Sequence, residues 1–378
     1  MIGKSKHLFV FVLALLLSAC GGDDDNPTPV DNTKDREAIL THWADNIIKP
    51  SYTNFSSRLD LMITRSEAFT ATPTVATLQE FRNAWIDAYT EWQKAELFEF
   101  GPADKYTIRN FFNIYPADVT GITSNISDPS ANLDLPSSYA RQGFPALDYL
   151  LNGLGDDDAA IVEKYTTDAD AAKRLAYIER IVLRMQTLIN NVITEWNGAY
   201  RDTFIASTGL DIGSSMGAVV NAYVLHYERF IRSGKIGIPA GVIGTIVGSP
   251  FPEKVEAFYK KDISRVLAQI AHQAAIDFFN GKSFNGGTEG PSFKSYLNAL
   301  DAKDANTGTL LSTIIDNQFT TINGKLAQLM PDLSQQIGTD NEAMVDVYTN
   351  MQTAVRYLKV DMSSAMSITI TYTDNDGD

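Results

Sequence analysis

His42 and Asp45 stand three apart in a segment with helical apolar spacing. Both side chains would lie on one helix face and could reach one metal ion, or simply form a polar face. The chain has four histidines, and no two are four apart, so a His-Glu-x-x-His zinc helix is excluded. Gly213-Ser214-Ser215-Met216-Gly217 fits the Gly-x-Ser-x-Gly nucleophile elbow. That elbow needs a preceding strand and an α/β sheet, and neither is visible, so a turn capping the next helix is expected. Lys235 to Gly241 is glycine-rich, but it lacks the Gly-Lys-Ser/Thr ending of a phosphate loop. His226 and His272 lie in apolar helical stretches and read as satisfied core or rim groups. Asp374-Asn375-Asp376-Gly377-Asp378 opens like a calcium loop but lacks the later glutamate that completes one.

The only cysteine is Cys20. Lys4 and Lys6 precede an apolar run from Leu8 to Leu17, and Leu17-Ser18-Ala19 leads into the cysteine. A basic start, a short apolar stretch and small residues make a secretory signal over residues 1–19. The run is shorter than the ~20 residues that span a bilayer. A cysteine directly after Leu-Ser-Ala is a bacterial lipobox, so Cys20 is the expected lipidation site. Residues 20–34, with Asp23-Asp24-Asp25, read as a flexible acidic tether. The expectation is an exported protein, lipid-anchored in the outer membrane, facing either the cell surface or the periplasm. With no second thiol, disulfides and thiolate metal sites are excluded. The net charge of -15 argues against nucleic acid as a partner.

The body's apolar period is helical. Ile39, Trp43 and Ile47 step by four, and Tyr52, Phe55, Leu59 and Met62 continue past Pro50, which should kink or split the segment. Thr77-Leu78-Gln79-Glu80 reads as a capping box opening a helix striped by Leu78, Phe81, Trp85, Tyr89 and Trp92. A long helix carries Ile178, Val182, Met185, Ile189, Val192 and Trp196. Further helices are expected over 217–231, 252–279, 309–330 and 341–362. Ile368 to Tyr372 alternates like a short strand. Asp45-Asn46 with Leu61-Met62, echoed by Asp316-Asn317 with Leu329-Met330, hints at two related bundles meeting near Asn197 to Ser215.

Six segments in order resemble the imelysin-like family: Ala44 to Tyr52, Glu96 to Pro102, Tyr115 to Asp118, Gly143 to Leu151, Lys235 to Gly241, and Asp361 to Asp378. The resemblance implies an all-α fold over residues 35–378, with two helical-bundle halves (about 35–200 and 210–370) related by a pseudo-twofold. It also implies a central Gly-x-His-x-x-Glu motif, whose positions here are Gly143, Pro145 and Asp148. Proline has no titratable group, so the histidine's role is not available at that position, while Pro145 suits a first helical turn. Family members have been regarded as peptidases, and relatives serve iron uptake. For this chain the resemblance implies a non-catalytic, ligand-binding envelope lipoprotein linked to iron or nutrient uptake. A divergent metallopeptidase and a structural lipoprotein are the alternatives. The expected ligand site is Tyr115, Asp118, Gly143 and Asp148, with Glu96 and Arg232 outside it and Asp148 as the metal-ligating candidate. Carboxylates with tyrosine suit a hard cation such as iron. Haem, a glycan and uptake-system proteins are the other expected partners.

Overall fold

A computed structural model describes residues 32–244, 247–284 and 286–373. The signal segment, Cys20, the tether through residue 31 and the acidic close at 374–378 lie outside these residues. The chain opens with α1 (Thr33–His42), a wide π-helical turn (Trp43–Ile48) and α2 (Lys49–Ala71). Next come α3 (Val75–Ala95), α4 (Gly143–Asn152), α5 (Ala171–Asn197) and α6 (Ser215–Leu225), the last running into a π-helical stretch, His226–Gly237. The C-terminal part is built on α7 (Ser264–Asn280), α8 (Leu311–Gln328) and α9 (Asn341–Arg356). Shorter helices link these. The fold is all-α, and the described residues hold only isolated bridges, such as Lys282 with Glu289.

Pro50 does not split the first segment: helix runs on from Thr33 to Ala71, and the π-helical turn Trp43–Ile48 lies just before the proline. A proline at 50 cannot donate to the Asn46 carbonyl four residues back. The Phe284 N–H donates to that carbonyl instead, at 2.9 Å. The helix of the Trp85 stripe begins one turn before the expected capping box. Thr74 is its cap, accepting from the Thr77 N–H at 3.2 Å while Thr77 Oγ1 accepts from the Thr74 N–H at 3.0 Å. Glu80 instead pairs with Arg65 on the surface. Ser214 caps α6 by accepting from the Gly217 N–H, so the Gly-x-Ser-x-Gly segment is a helix start.

The stripes face one another across a continuous core. α2 packs on α3 and α5, α8 packs on α7 and α9, and α7 also crosses α3. Trp43 seals that meeting, its ring 4.9 Å from Phe278 and 4.7 Å from Phe293. Each such ring fully buried contributes roughly 1.5–3 kcal/mol. The described residues from Thr33 onward form one compact unit. No described helix is long and apolar enough to cross a membrane.

Two expectations are corrected. Ile368 to Tyr372 keeps its alternation, with Ile368 buried, but forms no strand. The Asn221 side chain takes the place of a neighbouring strand: its amide donates to Thr369 O at 3.0 Å and accepts from Thr371 N at 2.7 Å. The expected helix 252–279 begins only at Ser264. Ala257 and Lys261 hold left-handed backbone, at φ +56° and +68°, which breaks the helical run before it.

Candidate functional site

α4 begins where the chain passes closest to its neighbour. Gly143 sits at φ +72°, and a Cβ there would fall 2.2 Å from the Phe112 carbonyl oxygen, so only glycine fits. Pro145 lies in the first turn, where main-chain N–H groups have no helical partner to lose. One turn on, Asp148 turns both carboxylate oxygens to main chain. Oδ2 accepts from the Tyr259 N–H and Oδ1 from the Lys260 N–H, each at 2.9 Å, and Asn152 Nδ2 adds a third bond at 3.1 Å. These bonds hold the non-helical stretch before α7 in place. Burial pushes the Asp148 carboxyl up to about 7 against the pull of those donors.

Between α4 and that stretch lies a cavity of about 240 Å³, walled by Tyr115, Pro116, Pro145, Asp148, Phe258 and Tyr259, with Glu253 at its exposed side. Tyr115 precedes a cis proline and reaches toward the π-helical stretch, where a Cβ on Gly234 would lie 3.1 Å from its hydroxyl. That hydroxyl makes no hydrogen bond to the described residues. Burial and the nearby Glu256 and Glu96 carboxylates keep it protonated, well above the usual tyrosine range.

Beneath the wall is a buried polar cluster drawn from five segments. Glu256 Oε2 lies 2.5 Å from Lys235 Nζ, and its Oε1 accepts from Asn113 at 2.8 Å and Gln93 at 3.1 Å. Tyr89 shares its hydroxyl proton between Asn113 Oδ1 at 2.6 Å and Glu256 Oε1 at 3.0 Å. Asn113 also donates to Glu96, which His226 Nε2 approaches at 3.4 Å. Burial alone would raise the Glu96 carboxyl, but the His226 bond and the Lys235 charge outweigh it and hold it at about 2. Burial lowers His226 to about 4, so this pair is a carboxylate facing a neutral imidazole.

The family model for imelysin (peptidase M75) matches residues 48–362, most of the chain and all the elements just described. The chain belongs to the imelysin family. It is 22% identical over 259 residues to the iron-regulated protein A of Synechococcus elongatus, a match covering 66% of this chain and 64% of that protein, under two thirds of its length. Its fold is similar to an imelysin-like protein from Psychrobacter arcticum 273-4, with a TM-score of 0.68 and 19% identity over 90% of this chain and 98% of that one. It is also similar to an iron-regulated protein A precursor from Parabacteroides distasonis, with a TM-score of 0.64 and 17% identity over 89% and 97% of the two chains.

In this imelysin-family chain the structure gathers only some of the residues singled out by sequence. Tyr115, Pro145 and Asp148 share the cavity, Gly143 opens the helix that carries Pro145 and Asp148 but does not line it, and Glu96 lies one layer deeper. Asp118 is elsewhere in role: it caps the helix Val119–Ser127 and pairs with Arg141 at 2.9 Å. Arg232 lies beside Glu228 and the Tyr348 ring. His42 bonds Gly281 O and Asn46, and Asp45 pairs with Arg201, so that couple is spent on structure. Glu253, Glu256, Phe258 and Tyr259 fall within the expected helix 252–279, where spacing alone does not mark them as site residues. Asn113 lies in no motif, and Lys235, though it opens the resembling segment Lys235 to Gly241, has no spacing that marks it as a site residue. Among the described residues no three His, Cys, Asp or Glu side chains are placed to hold a metal ion. With Asp148 committed to main chain, the cavity does not fit a bare ferric ion.

Proposed function

We propose that this chain is a non-catalytic ligand-binding protein of the cell envelope, serving iron or nutrient uptake, with the Tyr115–Asp148 cavity as its binding site. One observation carries the reading. At the motif, Pro145 offers no proton-handling group and Asp148 spends both oxygens on main-chain donors, while Tyr115 keeps an uncommitted hydroxyl at the same cavity. The site can hold a solute, and the motif's histidine position offers no group that could activate water. The iron link rests on the iron-regulated relatives in Synechococcus elongatus and Parabacteroides distasonis. With few free donors in the cavity, iron would enter as a complex that brings its own ligands.

The test is a thermal-shift panel on residues 21–378 with ferric citrate, ferrous iron, calcium, haem, choline and an acidic oligosaccharide. A true ligand at about 100 times its Kd adds roughly 2.7 kcal/mol, which raises Tm by several degrees in a chain of this size. No shift with any probe would count against the reading. Envelope placement rests on the signal segment that ends at Cys20. Cys20→Ser is expected to move the protein from the membrane fraction to the soluble one, and retention in the membrane would refute the anchor.

A further inference from the structure

The cavity's charge and its aromatic walls narrow the ligand class, on the reading that the cavity binds a solute. Three rings line it: Tyr115, Phe258 and Tyr259. Tyr259 is braced edge-on by Phe258, with ring centroids 5.3 Å apart, and by Tyr149 at 5.2 Å. Two carboxyl groups share the lining. Asp148 is buried and bound by three N–H donors, and Glu253, which is exposed, has no ion pair among the described residues.

No lysine or arginine lines the cavity, although lysines flank its wall in sequence. Lys254 lies over the Phe251 ring, 4.0 Å from its centroid, and Lys260 pairs with Asp262. Lys235, underneath, is held by Glu256 at 2.5 Å. The cavity thus joins three aromatic side chains to the unpaired Glu253 carboxylate, with Lys235, Lys254 and Lys260 engaged elsewhere. That combination attracts an organic cation, whose diffuse charge suits aromatic faces and needs no ring of oxygen ligands. A hard metal ion needs about six oxygen ligands. At about 240 Å³ the space is below that of a drug-sized ligand.

The geometry points to a small alkylammonium or quaternary ammonium solute, held by the Tyr115, Phe258 and Tyr259 rings with Glu253 as its counter-charge. The probes are choline and 3,3-dimethyl-1-butanol, an uncharged molecule of nearly the same shape, titrated calorimetrically into residues 21–378. Choline is expected to bind at least tenfold more tightly than the alcohol. Glu253→Gln is expected to weaken choline about tenfold, leave the alcohol unaffected and leave Tm unchanged, since Glu253 is exposed. Phe258→Ala is expected to weaken both probes. Equal binding of the two probes, or no choline binding, overturns the inference. If choline fails while ferric citrate or haem raises Tm, this inference falls and the binding function stands. If no probe acts at all, both fall.

Discussion

Lys235→Met is expected to remove about 3–5 kcal/mol of stability, the cost of leaving one member of a buried ion pair behind. Lys235 and Glu256 are each 2% exposed, and their charged atoms lie 2.5 Å apart. The other Glu256 oxygen already accepts from Asn113 and Gln93 and shares the Tyr89 proton, so no unused donor stands ready to replace the ammonium. Methionine fills the space and leaves the carboxylate uncompensated. Adding Glu256→Met to the same chain should recover much of the loss, because the charge to be compensated is then gone. Urea denaturation of the wild type, both single variants and the double variant reads this directly. A loss under about 1 kcal/mol in Lys235→Met, the size of an exposed pair, would mean the cluster is open to water.

Asp148→Ala is expected to cost about 3 kcal/mol and to change how stability depends on pH. It leaves the main-chain N–H groups of Tyr259 and Lys260 without their acceptor, and an orphaned buried donor costs roughly 1–3 kcal/mol. It also frees the stretch that carries Phe258 and Tyr259, so ligand binding should be lost with it. The sign of the pH effect follows from burial, which raises the folded-state pKa to about 7, above an unfolded value of about 3.9. The folded chain favours the protonated acid. Its contribution is complete below about pH 4 and declines as pH rises to about 7. The wild type's advantage over Asp148→Ala is therefore larger at pH 4.5 than at pH 8. Paired Tm measurements at those two values check it, and an advantage that grew with pH would show that the three donors hold the carboxylate ionised.

The helices were legible because their apolar residues recur at helical spacing, and the stripes on α2, α3 and α5 are buried as that spacing requires. Their starts were less legible. The Thr74 cap uses Thr77 rather than an acidic residue as its reciprocal partner, so the nearby Thr-x-x-Glu mimics a helix start one turn too late. At the site, the motif positions could be read in order along the chain, since Gly143, Pro145 and Asp148 are neighbours on one helix. The opposite wall could not. Glu253 to Lys260 carries helix-compatible residues, and nothing in Ala257 or Lys261 announces left-handed backbone. That backbone is fixed by distant partners, above all the Asp148 carboxylate, about 110 residues earlier in the chain. The same holds for the cluster below. Tyr89, Asn113, His226, Lys235 and Glu256 meet only once the helices pack, and no spacing rule joins them. Asp118 could have been read as a helix cap, with Gly121 three residues on and a helical run behind it.

Whether the cavity is where this chain holds a solute is tested most directly by blocking it. Ala117 is half-buried and lines the cavity, and Ala117→Trp would fill much of its volume while leaving Asp148 and the buried cluster unsubstituted. The measurement is calorimetric titration of wild type and Ala117→Trp with whichever probe raises the wild-type Tm. The expected result is saturable binding by the wild type and none by the variant, with both chains unfolding at the same temperature. Equal binding by the two chains would contradict the account and move the ligand away from the Tyr115–Asp148 cavity.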